Sequence, residues 1–289
     1  MKVIFVINPS AGTKSHKKIE REIEDYSIQI NLDYSIYKIP EEKQAGKLQS
    51  FIKEKQADVV VACGGDGTIN YIGSLLLGSK IKLAIIPLGS ANGLARALSI
   101  ELNIPKIIDA VVRGDFYNMD VLRINEKFNC FHLGSLGLNA NLVKRYEDSN
   151  SSGMWGYAKH FFDTMKHSKA GKYEININGK EISKKAEMIT FANARRYGTG
   201  AIINPDGRVD DGIFEVCIFK PFPWYALFQM SYHFFMGNLK DSPFVKIHKT
   251  KKVKVVSGIK ENLEVDGDIE GSFTEIEVRI MKAAIRMIR

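Results

Sequence analysis

The sequence predicts a doubly wound α/β domain followed by a mostly antiparallel β domain with inserted helices. Three observations predict it. Short apolar runs alternate with charged, helix-periodic stretches through about residue 112, the order of a parallel sheet with helices on its faces. The apolar runs at 2–7, 58–63 and 82–86 stop at a proline or a glycine loop. After about residue 118 the texture changes to short alternating runs separated by turn residues.

Residues 2–7 read as a buried parallel strand that stops at Asn8-Pro9, and the charged, periodic stretch 14–26 as a helix. In 32–39, Leu32, Tyr34, Ile36 and Tyr37 stand against polar neighbours, which predicts a second strand, and the charged stretch 41–55 predicts a second helix. Asp58–Cys63 is a third strand and runs straight into Gly64-Gly65-Asp66-Gly67-Thr68. Residues 69–78 read as helix, 82–86 as a strand ending at Pro87, and 91–98 as the start of another helix. Beyond the change of texture, strands are expected at Met119–Ile124, Lys127–Leu133, Lys172–Ile177, Ala186–Ala192, Phe214–Phe219, Lys249–Val256 and Asn262–Val265. Asn178-Gly179 is a hairpin signal, and helices are expected at 154–167 and 222–239.

Composition narrows the class. The chain has 289 residues, 45% of them hydrophobic, which excludes a disordered, collagen-like or disulfide-stapled protein. A net charge of +8 suits anionic partners without choosing among nucleotides, acidic membranes and nucleic acid. Basic residues are dispersed and no nucleic-acid-binding motif occurs, so nucleic acid is not an expected partner. Cys63, Cys130 and Cys217 are far apart and odd in number, with no CxxC and no histidine at ligand spacing; they predict reduced, buried thiols and a cytoplasmic protein. No run of about 18 apolar residues occurs, so no transmembrane segment is expected.

The strongest chemical signal is Gly64-Gly65-Asp66-Gly67-Thr68 after an apolar strand. Glycines let backbone N–H groups approach phosphate oxygens, and the following helix N-terminus adds partial positive charge. Asn8-Pro9-Ser10-Ala11-Gly12 and Pro87-Leu88-Gly89-Ser90-Ala91-Asn92-Gly93-Leu94-Ala95 follow the first and fourth strands. Each alone is an ordinary strand-to-helix loop, but three such loops leave the same sheet edge and together favour a polyphosphate site. No GxxxxGK[ST] and no strand-linked GxGxxG occurs, which argues against a P-loop and a dinucleotide fold.

The order NPxxG, GGDGT-x-N, PxGSxNxLA resembles the diacylglycerol kinase catalytic-domain family, which includes bacterial lipid kinases and the sphingosine and ceramide kinases. The resemblance continues through Gly156-Tyr157, through Phe191–Gly200 with Asn204–Gly212, and through Glu264-Val265-Asp266-Gly267-Asp268. It implies an α/β nucleotide-binding domain over 1–120 plus about 275–289, and a β-sandwich-like lipid-binding domain over 121–274, with the C-terminal segment returning to the first domain. The implied reaction moves the γ-phosphoryl of ATP to a lipid hydroxyl with Mg²⁺, at the cytoplasmic membrane surface; relatives often pair, which leaves a homodimer open.

By that resemblance Gly64, Gly65, Asp66, Gly67, Thr68 and Asn70 form the nucleotide loop, with Asn8, Gly89, Ser90 and Asn92 flanking it. Asp66, Asp266 and Asp268 are the candidate catalytic carboxylates, and Asp211 the metal ligand, with main-chain carbonyls of Arg208 and Ile213 completing its site. Read without the family, Asp266-Gly267 and Asp211-Gly212 are hairpin turns.

Three departures matter. Asp268 replaces the usual glutamate, and its shorter arm shifts weight to Asp266. Gly93 stands where bacterial members carry aspartate, and the GS-x-N-x-LA form looks more like the sphingosine and ceramide kinases, so a sphingoid base rivals diacylglycerol as acceptor. The family's threonine after the second strand is not clear near Ile39-Pro40-Glu41. Two rivals are an NAD kinase, which shares GGDGT but needs a different later segment, and a catalytically dead lipid-binding regulator. Tyr225, Phe228, Tyr232, Phe235 and Leu239 fall on one helical stripe, either packing on the β domain or forming an acyl-chain wall. Lys249, Lys251, Lys252 and Lys254 form a basic cluster, either a solvated edge or a contact for anionic headgroups.

Overall fold

The protein is described from a computed structural model covering residues 1–11, 16–42, 44–138, 140, 170–194, 207–223, 226, 229 and 239–289. The expected helix 154–167, the segment 195–206, Gly12, Gly156, Tyr157 and the aromatic stripe except Leu239 lie outside the described residues. The chain forms two compact units, Met1–Asp120 with Lys282–Arg289, and Val121–Met281.

In the first unit, β1 (Lys2–Ile7) pairs in parallel with β2 (Asp33–Lys38) and β3 (Val59–Gly64), and β3 with β4 (Lys82–Pro87). Val3–Ile7, Val59–Gly64 and Leu83–Pro87 are wholly buried, as continuous apolar runs in a parallel sheet must be when helices cover both faces. The connecting helices are α1 (His16–Gln29), α2 (Ala45–Lys55), α3 (Asp66–Leu76), α4 (Gly93–Ala97) and α5 (Ile104–Arg113). Local chemistry bounds α5: the Asn103 side chain accepts the Lys106 N–H at its start, and Gly114 takes the left-handed conformation at its end. The last residues of the chain close this sheet, with Arg286 and Met287 in parallel register with Lys82 and Leu83, and Ala283 N–H donating to Asp120 at 2.7 Å.

The second unit is built from antiparallel strands. Its sheet runs β12 (Val245–Thr250), β11 (Phe214–Phe219), β10 (Met188–Ala192), β7 (Leu133–Gly137), β13 (Lys252–Val265). β13 folds back on β14 (Asp268–Ile288) and also pairs with β8 (Gly171–Ile177), which forms a hairpin with β9 (Lys180–Ala186). β5 (Phe116–Ile124) pairs with β6 (Phe128–Cys130) through residues 122–124. Leu136, Tyr173, Phe191, Phe214, Val216 and Leu263 belong to one core. The α/β-plus-β-sandwich class expected from the sequence is the class observed.

Several elements differ from expectation. Helix α3 begins at Asp66 rather than 69, so Asp66, Gly67 and Thr68 are its first turn. The expected strand Lys127–Leu133 is two strands broken at Phe131-His132, and Ala186–Ala192 is the end of β9 and all of β10, parted at Glu187. Lys249–Val256 spans the end of β12 and the start of β13, which runs on through two register shifts to Val265.

Candidate active site

The first group of candidate residues lies at the carboxyl edge of the parallel sheet. Asn8 ends β1: its N–H donates to the Cys63 carbonyl at 3.0 Å, and its side-chain amide donates to the Thr68 hydroxyl at 2.8 Å. The Asn8 Oδ1 accepts the Ser10 N–H and hydroxyl, which folds the loop after β1 back on itself. Asp66 opens α3, where a carboxylate complements the helix dipole. Its oxygens accept the Gly93 N–H at 2.9 Å and the Leu94 N–H at 3.1 Å, the first amides of α4. Asn92, left-handed at φ 49°, clasps Gly89 with both ends of its amide, at 2.8 and 2.7 Å.

Asn8 thus ties the first loop to the second, and Asp66 ties the second to the third. The glycines of this group serve that packing. A Cβ on Gly89 would stand 2.5 Å from the Gly65 Cα, and one on Gly64 would stand 2.5 Å from the Thr68 side chain. Gly65 caps α3 without a side-chain hydrogen bond, so the first N–H groups of an 11-residue helix carry no side-chain cap. That is the donor arrangement phosphate oxygens take. Thr68 is buried, Asn70 accepts the Ser74 hydroxyl, and Ser90 is exposed.

The second group lies in the hairpin between β13 and β14. Asp266 and Gly267, at φ 51° and 101°, make a two-residue turn between the paired residues Val265 and Asp268. The hairpin reading of this dipeptide therefore holds, but the turn does more than reverse the chain. The Asp266 carboxylate, 8% exposed, accepts the N–H groups of Phe131, His132 and Leu133 at 2.8, 2.8 and 3.0 Å, with the Cys130 thiol at 3.5 Å. The first two of those amides lie in the break between β6 and β7, and the third opens β7. Burial, then the Asp266 and Glu264 carboxylates, push the Cys130 thiol pKa up. Glu264, 3% exposed, accepts the Ser135 hydroxyl at 2.6 Å and the Gly267 N–H at 2.7 Å. Asp268 is exposed at the first position of β14. Sequence reasoning missed Ser135 and the role of Glu264. A charged residue between the apolar Leu263 and Val265 was the available signal.

The third group is Asp211 with Arg208 and Ile213. The exposed Asp211 accepts the Ile213 N–H at 3.1 Å, which turns its carboxylate toward the main chain at 213, while the Arg208 guanidinium pairs with Asp210 at 3.1 Å. Among the described residues no three His, Cys, Asp or Glu side chains gather as a metal centre. A cation at this loop would rest on one carboxylate and main-chain carbonyls, hard oxygen donors of the kind Mg²⁺ takes, so the residues fit. The basic cluster is engaged in ion pairs: Lys249 with Glu215 at 3.9 Å, Lys252 with Glu277 at 2.9 Å and Lys254 with Glu275 at 2.7 Å. No helix among the described residues is long and apolar enough to cross a membrane.

The profile described as Diacylglycerol kinase catalytic domain matches residues 2–124, and that described as YegS C-terminal NAD kinase beta sandwich-like domain matches residues 134–289. The chain belongs to the diacylglycerol kinase family. A family member from Yersinia enterocolitica, named "Probable lipid kinase YegS-like", is 29% identical over 182 residues, which are 60% of this chain and 62% of that protein. The match thus spans less than two thirds of that relative's length. A "Diacylglycerol kinase" from Staphylococcus saprophyticus is 23% identical over 274 residues, 92% of this chain and 88% of that protein. A crystal structure of a diacylglycerol kinase from Bacillus anthracis superposes with a TM-score of 0.75 at 18% identity, over 99% of this chain and 96% of that one, and shows the same fold.

Proposed function

We propose that this family member is an ATP- and Mg²⁺-dependent lipid kinase that moves the γ-phosphoryl of ATP to the hydroxyl of a lipid acceptor, with diacylglycerol the first candidate. The observation that carries the proposal is the hydrogen-bonded knot of three loops around the open N-terminus of α3. ATP phosphates bind at that N-terminus, on the N–H groups of Asp66 and Gly67, since the Thr68 N–H donates to the Gly65 carbonyl at 3.0 Å. Asp66 holds the third loop in place through Gly93 and Leu94 rather than meeting the acceptor. Mg²⁺, where bound, offsets phosphate charge, and Asp211 with the Arg208 and Ile213 carbonyls holds a cation of that kind in the second unit.

The acceptor oxygen attacks the γ-phosphorus, the bond from that phosphorus to the β,γ-bridging oxygen breaks, and ADP leaves. The hydroxyl proton must go to a base as the new O–P bond forms, since a carboxylate is too weak to remove it beforehand. The geometry favours Asp268 for that role. Asp268 is exposed at the start of β14, where an acceptor can reach it, whereas Asp66 is half-buried and Asp266 only 8% exposed. The enzyme works at the cytoplasmic face of a membrane, where its acceptor resides.

Purified protein with Mg²⁺ and γ-labelled ATP, offered diacylglycerol, phosphatidylglycerol, sphingosine and ceramide in mixed micelles, tests the proposal. Label on one lipid is expected, lowered roughly 10²–10⁴-fold in Asp268→Asn with ATP affinity kept. Label on no lipid with ATP bound would replace the reaction with a binding role, and failure to bind ATP would remove the nucleotide site itself.

A further inference from the structure

We infer that Glu264 and Ser135 are positioning residues for the Asp266-Gly267-Asp268 turn, and through it for Asp268. The inference rests on the proposed reaction for its consequence, although the contacts themselves do not. Glu264 is 3% exposed, and Ser135 is fully buried directly opposite it in the register of β13 with β7. A buried carboxylate is costly unless donors satisfy it. Here each oxygen has one: Oε2 takes the Ser135 hydroxyl at 2.6 Å and Oε1 takes the Gly267 N–H at 2.7 Å.

An Asp-Gly hairpin turn closes without such help, so the glutamate is not needed to reverse the chain. Its side chain instead reaches three residues forward and grips the amide of the residue immediately before Asp268. From the other side, the Asp266 carboxylate is pinned by the N–H groups of residues 131–133, and the Asp266 N–H donates to the Leu133 carbonyl at 2.8 Å. The turn is thus held at both of its residues. Rotation about the left-handed Asp266 and Gly267 would swing Asp268, and it is opposed at each. Ser135 orients the glutamate, because its hydroxyl engages the oxygen that does not face the turn. Thr190, opposite Ser135 on β10, is equally buried, but among the described residues its hydroxyl has no hydrogen-bond partner. A hydroxyl in this row is therefore not by itself a structural requirement.

Two readouts test the inference: amide exchange at Gly267 in protein labelled with ¹⁵N-glycine, and steady-state phosphoryl transfer. Glu264→Gln keeps an acceptor for Gly267 and is expected to preserve its protection, with kcat within about 3-fold of the parent. Glu264→Met fills the space without an acceptor. It is expected to speed Gly267 exchange at least about 10-fold and to lower kcat about 10–100-fold with the ATP KM unchanged. Ser135→Ala moves both readouts in the same direction by less, and Thr190→Val moves neither. Where Glu264→Met does not fold, Ser135→Ala carries the decision on the same readouts. Gly267 exchange unaltered in these variants would overturn the inference, as would altered exchange with parental kcat. If the parent labels no lipid, the proposed reaction fails by itself, and Gly267 exchange still decides whether Glu264 holds the turn.

Discussion

Asp66 in the α/β unit and Asp266 in the β unit each precede a glycine and hold main-chain amides of a distant segment, and the two are built differently. Asp66 is half-buried and spans two loops that leave one sheet edge, accepting two N–H groups of a short helix. Asp266 is buried and accepts three N–H groups from a strand break 133 to 135 residues away in sequence. The first is a local clasp reinforced by close-packed glycines. The second is a long-range clasp on which part of the β unit's strand pattern depends. A family motif that reads alike in the two places therefore serves loop assembly in one and fold integrity in the other.

The largest expected effect breaks this comparison by stability. Asp266→Ala leaves three buried N–H groups without their acceptor and should cost about 3–5 kcal/mol. Asp66→Ala uncaps the first amides of α4 at a half-buried site and should cost about 1–2 kcal/mol. Urea unfolding of both variants, followed by circular dichroism, measures the difference. Equal losses would mean that the Asp266 clasp has no special weight in the β unit.

The same contrast governs what the sequence revealed. The parallel strands and the three loops of the first unit were legible because burial on both faces leaves unbroken apolar runs, and glycine marks close approach. The start of α3 was not, since Gly67 is a poor helix former and masked a turn that tertiary contacts stabilise. In the second unit the apolar alternation of Lys127–Leu133 read as one strand. The break at Phe131-His132 exists because Asp266 takes those amides, a partner that no local pattern displays. Glu264 was legible as an oddity between Leu263 and Val265, but its partners, Ser135 far upstream and an amide in the turn, were not.

Glycine substitutions sharpen the contrast at intermediate size. Gly89→Ala would place a Cβ 2.5 Å from the Gly65 Cα, backbone against backbone, so one of the two loops must move. The expected cost is about 1–3 kcal/mol together with weakened ATP binding, read by calorimetric titration. A Cβ on Gly267 would meet nothing within 4 Å, but φ there is 101°, so Gly267→Ala strains the backbone by about 1–2 kcal/mol and leaves ATP affinity unchanged. Loss of ATP binding in Gly267→Ala would mean that the two turns are not energetically separate.

The smallest effect concerns the thiol beside each turn. Cys63 is the next-to-last residue of β3, just before Gly65-Asp66, and Cys130 touches Asp266; both are buried. Burial pushes both thiol pKa values up, and at Cys130 the carboxylates of Asp266 and Glu264 add to it. A raised folded pKa means that the fold favours the neutral thiol. Its stabilising contribution is therefore complete below the unfolded value of about 8.5 and shrinks as pH rises above it, because the unfolded chain ionises first. Up to the folded pKa the loss depends on the unfolded value alone, so the extra carboxylates at Cys130 change nothing in that window. Each thiol should then cost the same, about 1.4 kcal/mol by pH 9.5, and Cys63→Ala and Cys130→Ala should flatten the pH dependence of the urea midpoint equally. Unequal flattening would place one folded pKa inside the window and show that burial protects the two turns to different degrees.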